Sequence, residues 1–413
     1  MLRALLCGVV LFVSQSALAV DYSLSGFGTI GYAQSDQSYK YQRYINKSGT
    51  FMRDSVFGAQ IDAKLTPEWG ATVQAKYASA IDNDSEWKPV ISWAFLSYRP
   101  SNDLLMRAGK LRIPFYLVSE NMDVGETYTA ARLSSELYSQ SPTMDFTGVS
   151  FVKNWDFGDN EVYLDGYWGN TSMPWRHYSR DTATPSWSPL KNRAKALLLT
   201  LRKDENIYRA GFHTGDIWNT NGNELTVNMV SNPPPIPGMT GSYYTPSGTT
   251  STITAPTFHI GMDVGLGLGF QTMAEYLRRK INGIDIGPDT ESYYLSLLKA
   301  VGNWTPYVTY ARIESKNLAI YQAVNGARVQ GGPPGVAAGI NATQREAADM
   351  MTMYDQYSWA IGTSYAIDNK SKIKAEWLVV RTGAVSSFID APVGGESGNQ
   401  RINVFSLSYS FVF

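Results

Sequence analysis

The sequence predicts an all-β chain: a transmembrane barrel of about sixteen antiparallel strands. Three observations carry this. Runs of about ten residues alternate apolar and polar side chains from end to end. The connections between runs alternate short and long. Aromatic residues gather at run ends beside the short connections (Trp69, Tyr98, Trp155, Trp304, Tyr307), as interfacial girdles require.

The first nineteen residues read as an export leader. Arg3 supplies the positive start, Ala4 to Val13 the apolar stretch, and Ala17-Leu18-Ala19 a small-residue cleavage site before Val20. Residues 20–413 are then expected to form one barrel domain. The single cysteine, Cys7, precedes much of the leader's apolar stretch, which makes it a poor lipid acceptor. The mature chain therefore has no disulfide framework. With Arg3 gone from the 35 basic residues, it carries 36 acids against 34 bases, which does not suit a nucleic-acid binder. Charged residues make only 17% of the chain, against roughly 25% in an average soluble domain, while aromatics reach 13%. After the leader no apolar run approaches the roughly 18–20 residues of a membrane-crossing helix. Any crossing must use strands.

The period-two runs are explicit. Gln60 to Leu65 puts Ile61, Ala63 and Leu65 on one face and Gln60, Asp62 and Lys64 on the other. Ala71 to Ala78 sets Ala71, Val73, Ala75 and Tyr77 against Thr72, Gln74 and Lys76. Glu161 to Trp168 sets Val162, Leu164 and Trp168 against Tyr163, Asp165 and Tyr167. Near the end, Ile373, Ala375, Trp377 and Val379 oppose Lys372, Lys374 and Glu376. Such alternation makes strands with one apolar face. In the last run, Ser406 to Phe413, the residues Leu407, Tyr409, Phe411 and Phe413 are expected to face lipid, and Ser406, Ser408 and Ser410 the lumen.

Short turns are expected at 66–69, 100–103, 156–160, 204–206, 265–267, 302–303 and 368–371. Long polar or Gly/Pro-rich loops are expected at 35–52, 80–88, 113–144, 169–192, 220–253, 281–289, 317–353 and 383–399. Fifteen connections imply sixteen strands. A soluble sandwich or propeller would alternate similarly. It would not keep the short-and-long rhythm over the full length, and structureless loops this long are foreign to compact soluble domains.

"LSGFGTIGYAQSD", "RDSVFGAQIDAKLTPEWGATVQAKY" and the terminal "YSFVF" together resemble the Gram-negative trimeric general porins, over nearly the whole mature chain. "RAGKLRIPF", Arg107 to Phe115, also resembles the phosphate-selective porins. The first resemblance implies outer-membrane localisation, a homotrimer with its interface on the first and last strands and the loop near Ala80 to Lys88, and contact with lipid and lipopolysaccharide. It also implies that Tyr409, Phe411 and Phe413 are read by the outer-membrane assembly machinery. Above all, it implies that the third long loop, Pro114 to Met144, folds into the lumen and narrows a channel for small hydrophilic solutes.

In that loop the acids are Glu120, Asp123, Glu126 and Glu136, and Arg132 is the only base. Its middle, Glu126 to Tyr138, has helix-forming composition. The facing wall bases are expected to be Arg53, Lys64, Lys76, Arg107 and Lys110. The direction of Arg53 is ambiguous, and Lys110 has the parity of the lipid face unless a bulge intervenes. Carboxylates opposite ammonium and guanidinium groups set up a transverse field that disfavours apolar solutes. The expectation is weak cation preference or little selectivity. Anion or phosphate selectivity would need a basic loop, whereas bases on the strands (Lys64, Lys76, Arg202, Arg209, Lys372, Lys374) are interspersed with Asp62, Asp165, Glu275 and Glu376.

Other classes fit less well. The chain has three histidines, His177, His213 and His259, with no G-x-S-x-G elbow or paired-His motif, so catalysis is not expected. No HExxH, CxxC or EF-hand spacing argues for a metal, and no cofactor is expected. A structural or adhesive barrel without transport remains a distinct class. The Pro/Gly/Thr-rich stretch Ser231 to Pro256 reads as an exposed mobile lid.

Overall fold

The computed structural model describes residues 20–413 apart from 142 and 143. The leader expected at 1–19 lies outside the described residues. Sixteen long strands form one antiparallel sheet that closes on itself. In chain order they are β1 (Asp21–Ser35), β2 (Val56–Lys64), β3 (Trp69–Ser79), β4 (Trp87–Ser101), β5 (Leu104–Arg112), β6 (Asp145–Phe157), β7 (Asn160–Ser179) and β8 (Thr184–Lys203). Then follow β9 (Asn206–Asn219), β10 (Thr257–Gly267), β11 (Phe270–Arg279), β12 (Thr290–Lys299), β13 (Trp304–Ser315), β14 (Tyr354–Ala366), β15 (Ser371–Ser386) and β16 (Arg401–Val412). Each strand pairs with its chain neighbours. β1 completes the ring by pairing β2 through Asp21–Thr29 and β16 through Phe27–Ser35. A closed sheet leaves no edge whose amides would lie unpaired in hydrocarbon.

The short turns fall at one end, within three residues of their expected positions, and the long loops at the other. One expected loop is instead strand. β7 and β8 run through 169–192 and leave only residues 180–183 between them. Twenty residues at about 3.3 Å each reach far beyond a hydrocarbon band about 25 Å tall. Beyond the band the outward side chains turn polar (Asn170, Ser172, Lys191, Arg193), so the apolar half of the period-two signal disappears while the pairing continues. The long loops also carry structure of their own. Helices α1 (Leu318–Gly326) and α2 (Val336–Asp349) lie between β13 and β14. The stretch expected to be a lid holds a hairpin of Leu225–Asn232 with Tyr243–Thr250. Gln344 of α2 ties to both backbone groups of Tyr244, at 2.7 and 2.9 Å.

The outward face is an apolar belt. Leu197, Leu199, Phe212, Leu295, Trp359, Ile361, Trp377, Phe405 and Leu407 are all exposed. A belt of this extent would aggregate in water and is satisfied by a bilayer. Trp69 stacks on Tyr98 with centroids 4.6 Å apart, and Trp304 meets Tyr365 in a tilted contact at 4.7 Å, both pairs beside short turns. Tyr307, expected in that girdle, points inward instead. Its hydroxyl donates to Glu376 at 2.8 Å and accepts from the Ala131 amide at 2.9 Å. Pro306 and Tyr307 lie further up β13 than Trp304, so proximity to a turn misplaced it.

The glycines of β1 have a definite use. The Phe413 ring covers Gly26 and the Phe411 ring covers Gly28, where a Cβ would come within 2.1 and 2.6 Å of ring carbons. Gly26 and Phe413 also exchange backbone hydrogen bonds at 2.9 and 3.0 Å. Aromatic rings on β16 thus lie across side-chain-free positions of β1 at the closing seam, replacing the cross-strand contact that glycine lacks.

Candidate channel site

The segment 113–144 leaves the wall at Arg112 and returns at Asp145, lying against inward-facing side chains on several strands. Tyr116, Val118, Leu137 and Tyr138 pack with Leu277, Tyr294 and Ala311 of β11, β12 and β13. Glu275 of β11 anchors the same contact. It accepts from the Leu117 amide (2.9 Å), the Tyr138 hydroxyl (2.5 Å) and the Tyr294 hydroxyl (2.9 Å), and lies 2.8 Å from His259 Nε2. On the opposite wall, the 3₁₀ turn Gly125–Thr127 sits on Thr29 and Ser410. A Cβ on Gly125 would fall 2.5 and 2.4 Å from those hydroxyl oxygens, so glycine permits the approach. The helix-forming stretch yields this turn and one four-residue helix, Ser135–Tyr138.

The expected loop residues are distributed as follows. Asp123 meets Lys76 Nζ at 2.8 Å and Arg112 Nη2 at 2.5 Å. Burial alone would raise its carboxyl pKa, but the two cations outweigh burial and hold it well below the usual carboxylate range. Glu126 lies 3.4 Å from Lys372. Arg132 is buried in a two-bond contact with Asp54 (3.1 and 2.5 Å) and donates to Ser406 at 3.1 Å. Glu136 is buried and accepts from Gln356 at 2.8 Å, with no cation within ion-pair distance among the described residues. Burial pushes its pKa up. Glu120 is exposed.

Among the wall bases, Lys76 is the one the structure joins to an expected loop acid. Arg53 donates to Gln42 at 3.0 Å and lies 3.6 Å from Asp54, on the long-loop side of the lumen. Lys64 is exposed at the short-turn mouth. Arg107 faces inward above the Phe95 ring, 5.7 Å from its centroid. Lys110 is a correction. β5 pairs with β4 without a bulge between Met106 and Lys110, so Lys110 shares the outward parity of exposed Met106 and pairs with Asp145 at 2.6 Å.

The sequence reading missed Arg112, Asp54 and Glu275 as partners of the loop. Arg112 ends β5 beside Ile113 and Pro114, where strand parity lapses. Asp54 precedes β2 in a loop. The inward parity of Glu275 was legible, but its loop partners, Leu117 and Tyr138, lie 158 and 137 residues away in the chain.

A second polar group lines the wall on the short-turn side. Asp165 of β7 lies within electrostatic reach of Arg209, Glu120, Arg107 and Arg202. Arg209 also donates to the Thr200 hydroxyl at 3.0 Å and to the Tyr116 carbonyl at 2.9 Å. Cavities lie on both sides of the loop: about 680 Å³ at the short-turn mouth around Asp62, Lys64, Arg99 and Arg107, and about 340 Å³ at the long-loop mouth around Arg43, Arg53, Arg176 and Arg279. At the latter mouth Asp84 of loop 80–88 binds Arg43 (2.6 Å) and Arg176 (2.6 Å) of its own chain, so this loop folds over its own barrel. Of the histidines, His177 lies 3.3 Å from the Ser188 hydroxyl, His213 pairs with Tyr167, and His259 with Glu275. Among the described residues no cluster of three or more His, Cys, Asp or Glu could hold a metal.

No protein-family model matches the chain, and no curated protein matches it in sequence. Solved structures share its fold. The in-vitro folded outer-membrane protein OmpT of Vibrio cholerae, in a trimer form, superimposes with a TM-score of 0.53 at 13% identity, covering 96% of this chain and 100% of that one. An anion-selective porin from Comamonas acidovorans gives 0.50 at 11% identity, covering 95% and 100%. OmpF of Salmonella typhi, in complex with daunomycin, gives 0.50 at 9% identity, covering 94% and 97%. The fold is therefore that of the sixteen-stranded outer-membrane barrels.

Proposed function

We propose that the chain is an outer-membrane channel through which small hydrophilic solutes and ions diffuse passively, narrowed by the inward loop 114–144. The observation that carries this is the docking of the loop. It is anchored to Glu275 on one wall and packs against Thr29 and Ser410 on the other, and cavities with charged residues in their lining lie on either side of it. A barrel of sixteen strands is too wide for its side chains to fill, so the loop sets the width of the aqueous path. Selectivity is weak. Asp123 and Glu126 face Lys76, Arg112 and Lys372, and Glu136 is buried, so the loop's acidity is largely matched by the wall. Purified protein in liposomes tests this through swelling rates in sugars of increasing size. A steep fall with size supports a loop-narrowed pore; rates equal to protein-free vesicles for every sugar refute it.

A second reading, anion preference, is favoured by the group around Asp165, where Arg107, Arg202 and Arg209 outnumber Glu120 and Asp165. It is also the property of the Comamonas neighbour. For assembly, we infer a homotrimer, in keeping with the trimer form of the Vibrio neighbour, with contacts on the apolar outer faces of β1–β3 and β16. Lys191, Arg193 and Lys195 make an exposed outward ladder on β8 that starts opposite Trp168 and runs beyond it, placed to meet anionic lipopolysaccharide headgroups.

A further inference from the structure

Beside the channel path, on the long-loop side, β7–β11 and the loops above them enclose a second cavity of about 410 Å³. Its walls are mainly apolar: Met173, Leu190, Ile217, Ile253 and Ile281 form one cluster, with Trp175 packed against it. The size falls within the roughly 300–1,000 Å³ of small-molecule sites, which pair apolar walls with a few placed polar groups.

Those polar groups are present and incompletely used. Arg279 is buried, donates to the Gln140 carbonyl at 2.6 Å, and has no carboxylate within ion-pair distance among the described residues; its Nε has no partner. Gln140 is buried beside it. Its Oε1 accepts from Thr290 at 2.8 Å, while its Nε2 has no partner. Asn192 Oδ1 and His213 Nε2, on the same walls, are also buried without partners. A buried guanidinium without a counter-charge is costly, and unmade buried hydrogen bonds add to the cost. The molecule otherwise fills such positions: Arg132 meets Asp54, and Arg112 meets Asp123. Arg279, Gln140, Trp175 and Thr352 also line the cavity at the long-loop mouth, which gives a solute a way in.

We propose that this cavity is a binding site for a small amphipathic carboxylate, its apolar or aromatic body among Leu190, Ile217, Ile253 and Trp175 and its carboxylate on Arg279 and Gln140. The site rests on the channel reading only for its physiological use, since binding is measured independently of flux. The test is calorimetry on the detergent-solubilised full-length protein with benzoate and hexanoate as probes, and acetate and 1-hexanol as controls. Saturable binding of both probes is expected, with acetate and hexanol weaker by about 10-fold or more, each lacking the body or the charge. Arg279→Gln should weaken hexanoate by about 10- to 100-fold, the worth of a charge-assisted hydrogen bond. Arg279→Lys, which keeps the charge, should recover part of that loss.

Ala255→Trp fills the cavity from a loop position and should abolish binding while pore conductance in KCl stays at the parent value, which also shows that the variant has folded. Hexanol binding as tightly as hexanoate, equal binding by parent and Ala255→Trp, or absence of saturable binding would overturn the proposal. Conductance without binding defeats this site alone. Binding without conductance upholds it and defeats the channel reading.

Discussion

Asp123→Asn probes the loop where its charges meet the wall. Asp123 Oδ2 lies 2.8 Å from Lys76 and 2.5 Å from Arg112. At an effective dielectric constant of about 20, each contact is worth about 6 kcal/mol of Coulomb energy before desolvation is subtracted. The net value is smaller, and the two cations fare differently when the carboxylate is lost. The Lys76 side chain is 23% exposed and can rehydrate, whereas that of Arg112 is 4% exposed, with Nε and Nη1 already unpartnered. Breaking a buried pair costs about 3–5 kcal/mol; partial exposure puts this case near the lower end. A loss of about 3 kcal/mol raises the undocked fraction of this segment by about 150-fold.

In single-channel recordings the variant should show frequent conductance fluctuations, and its reversal potential should move toward anions, because one negative charge has left the path. The parent's behaviour with pH follows from the same contact. A depressed carboxyl contributes stability that is present above its unfolded pKa, about 3.9, and is lost only as pH falls through the lower folded value. Parent conductance should therefore hold from neutral pH to about pH 4. A variant with parental noise, reversal potential and thermal stability would show that the Asp123 contact carries none of this.

Glu136 has a raised pKa, so its native state holds a proton that the unfolded chain releases, and stability falls as pH rises past the unfolded value; Glu136→Gln should be more stable than the parent at pH 7 and equal to it near pH 4, by thermal unfolding in detergent. Gly28→Val places a Cβ against the Phe411 ring, and Phe413→Ala uncovers Gly26; each should slow folding into lipid vesicles, with about 1–3 kcal/mol lost for the overpacked seam in the first case. Arg107→Ala should shift the reversal potential toward cations while Lys110→Ala leaves it unchanged, since the first side chain faces the lumen and the second the outer surface.

The barrel was legible because its period is local. Outward residues such as Val73, Trp377 and Leu407 alternate with inward Gln74, Glu376 and Ser408, and the turns break the pattern at regular intervals. Legibility failed where the apolar half of the signal was absent. β7 and β8 continue past the bilayer with polar outward residues and so resemble a loop. The loop's acid content and the inward base Lys76 could be read, but partners such as Arg112 and Asp54 could not, because they sit at strand ends or in loops where parity fails. Position in the chain also misled for Lys110, which unbroken pairing turns outward. The cavity around Arg279 gave no sequence signal, because its walls come from five strands and four loops.

Planar-bilayer recording of the purified protein under a KCl gradient distinguishes an open, weakly selective pore from a sealed or anion-specific barrel. A loop-narrowed, weakly selective channel predicts discrete, ohmic conductance steps and a reversal potential close to zero. Absence of steps would contradict the channel itself, and a reversal potential near the Nernst value for chloride would contradict weak selectivity in favour of anion-specific passage.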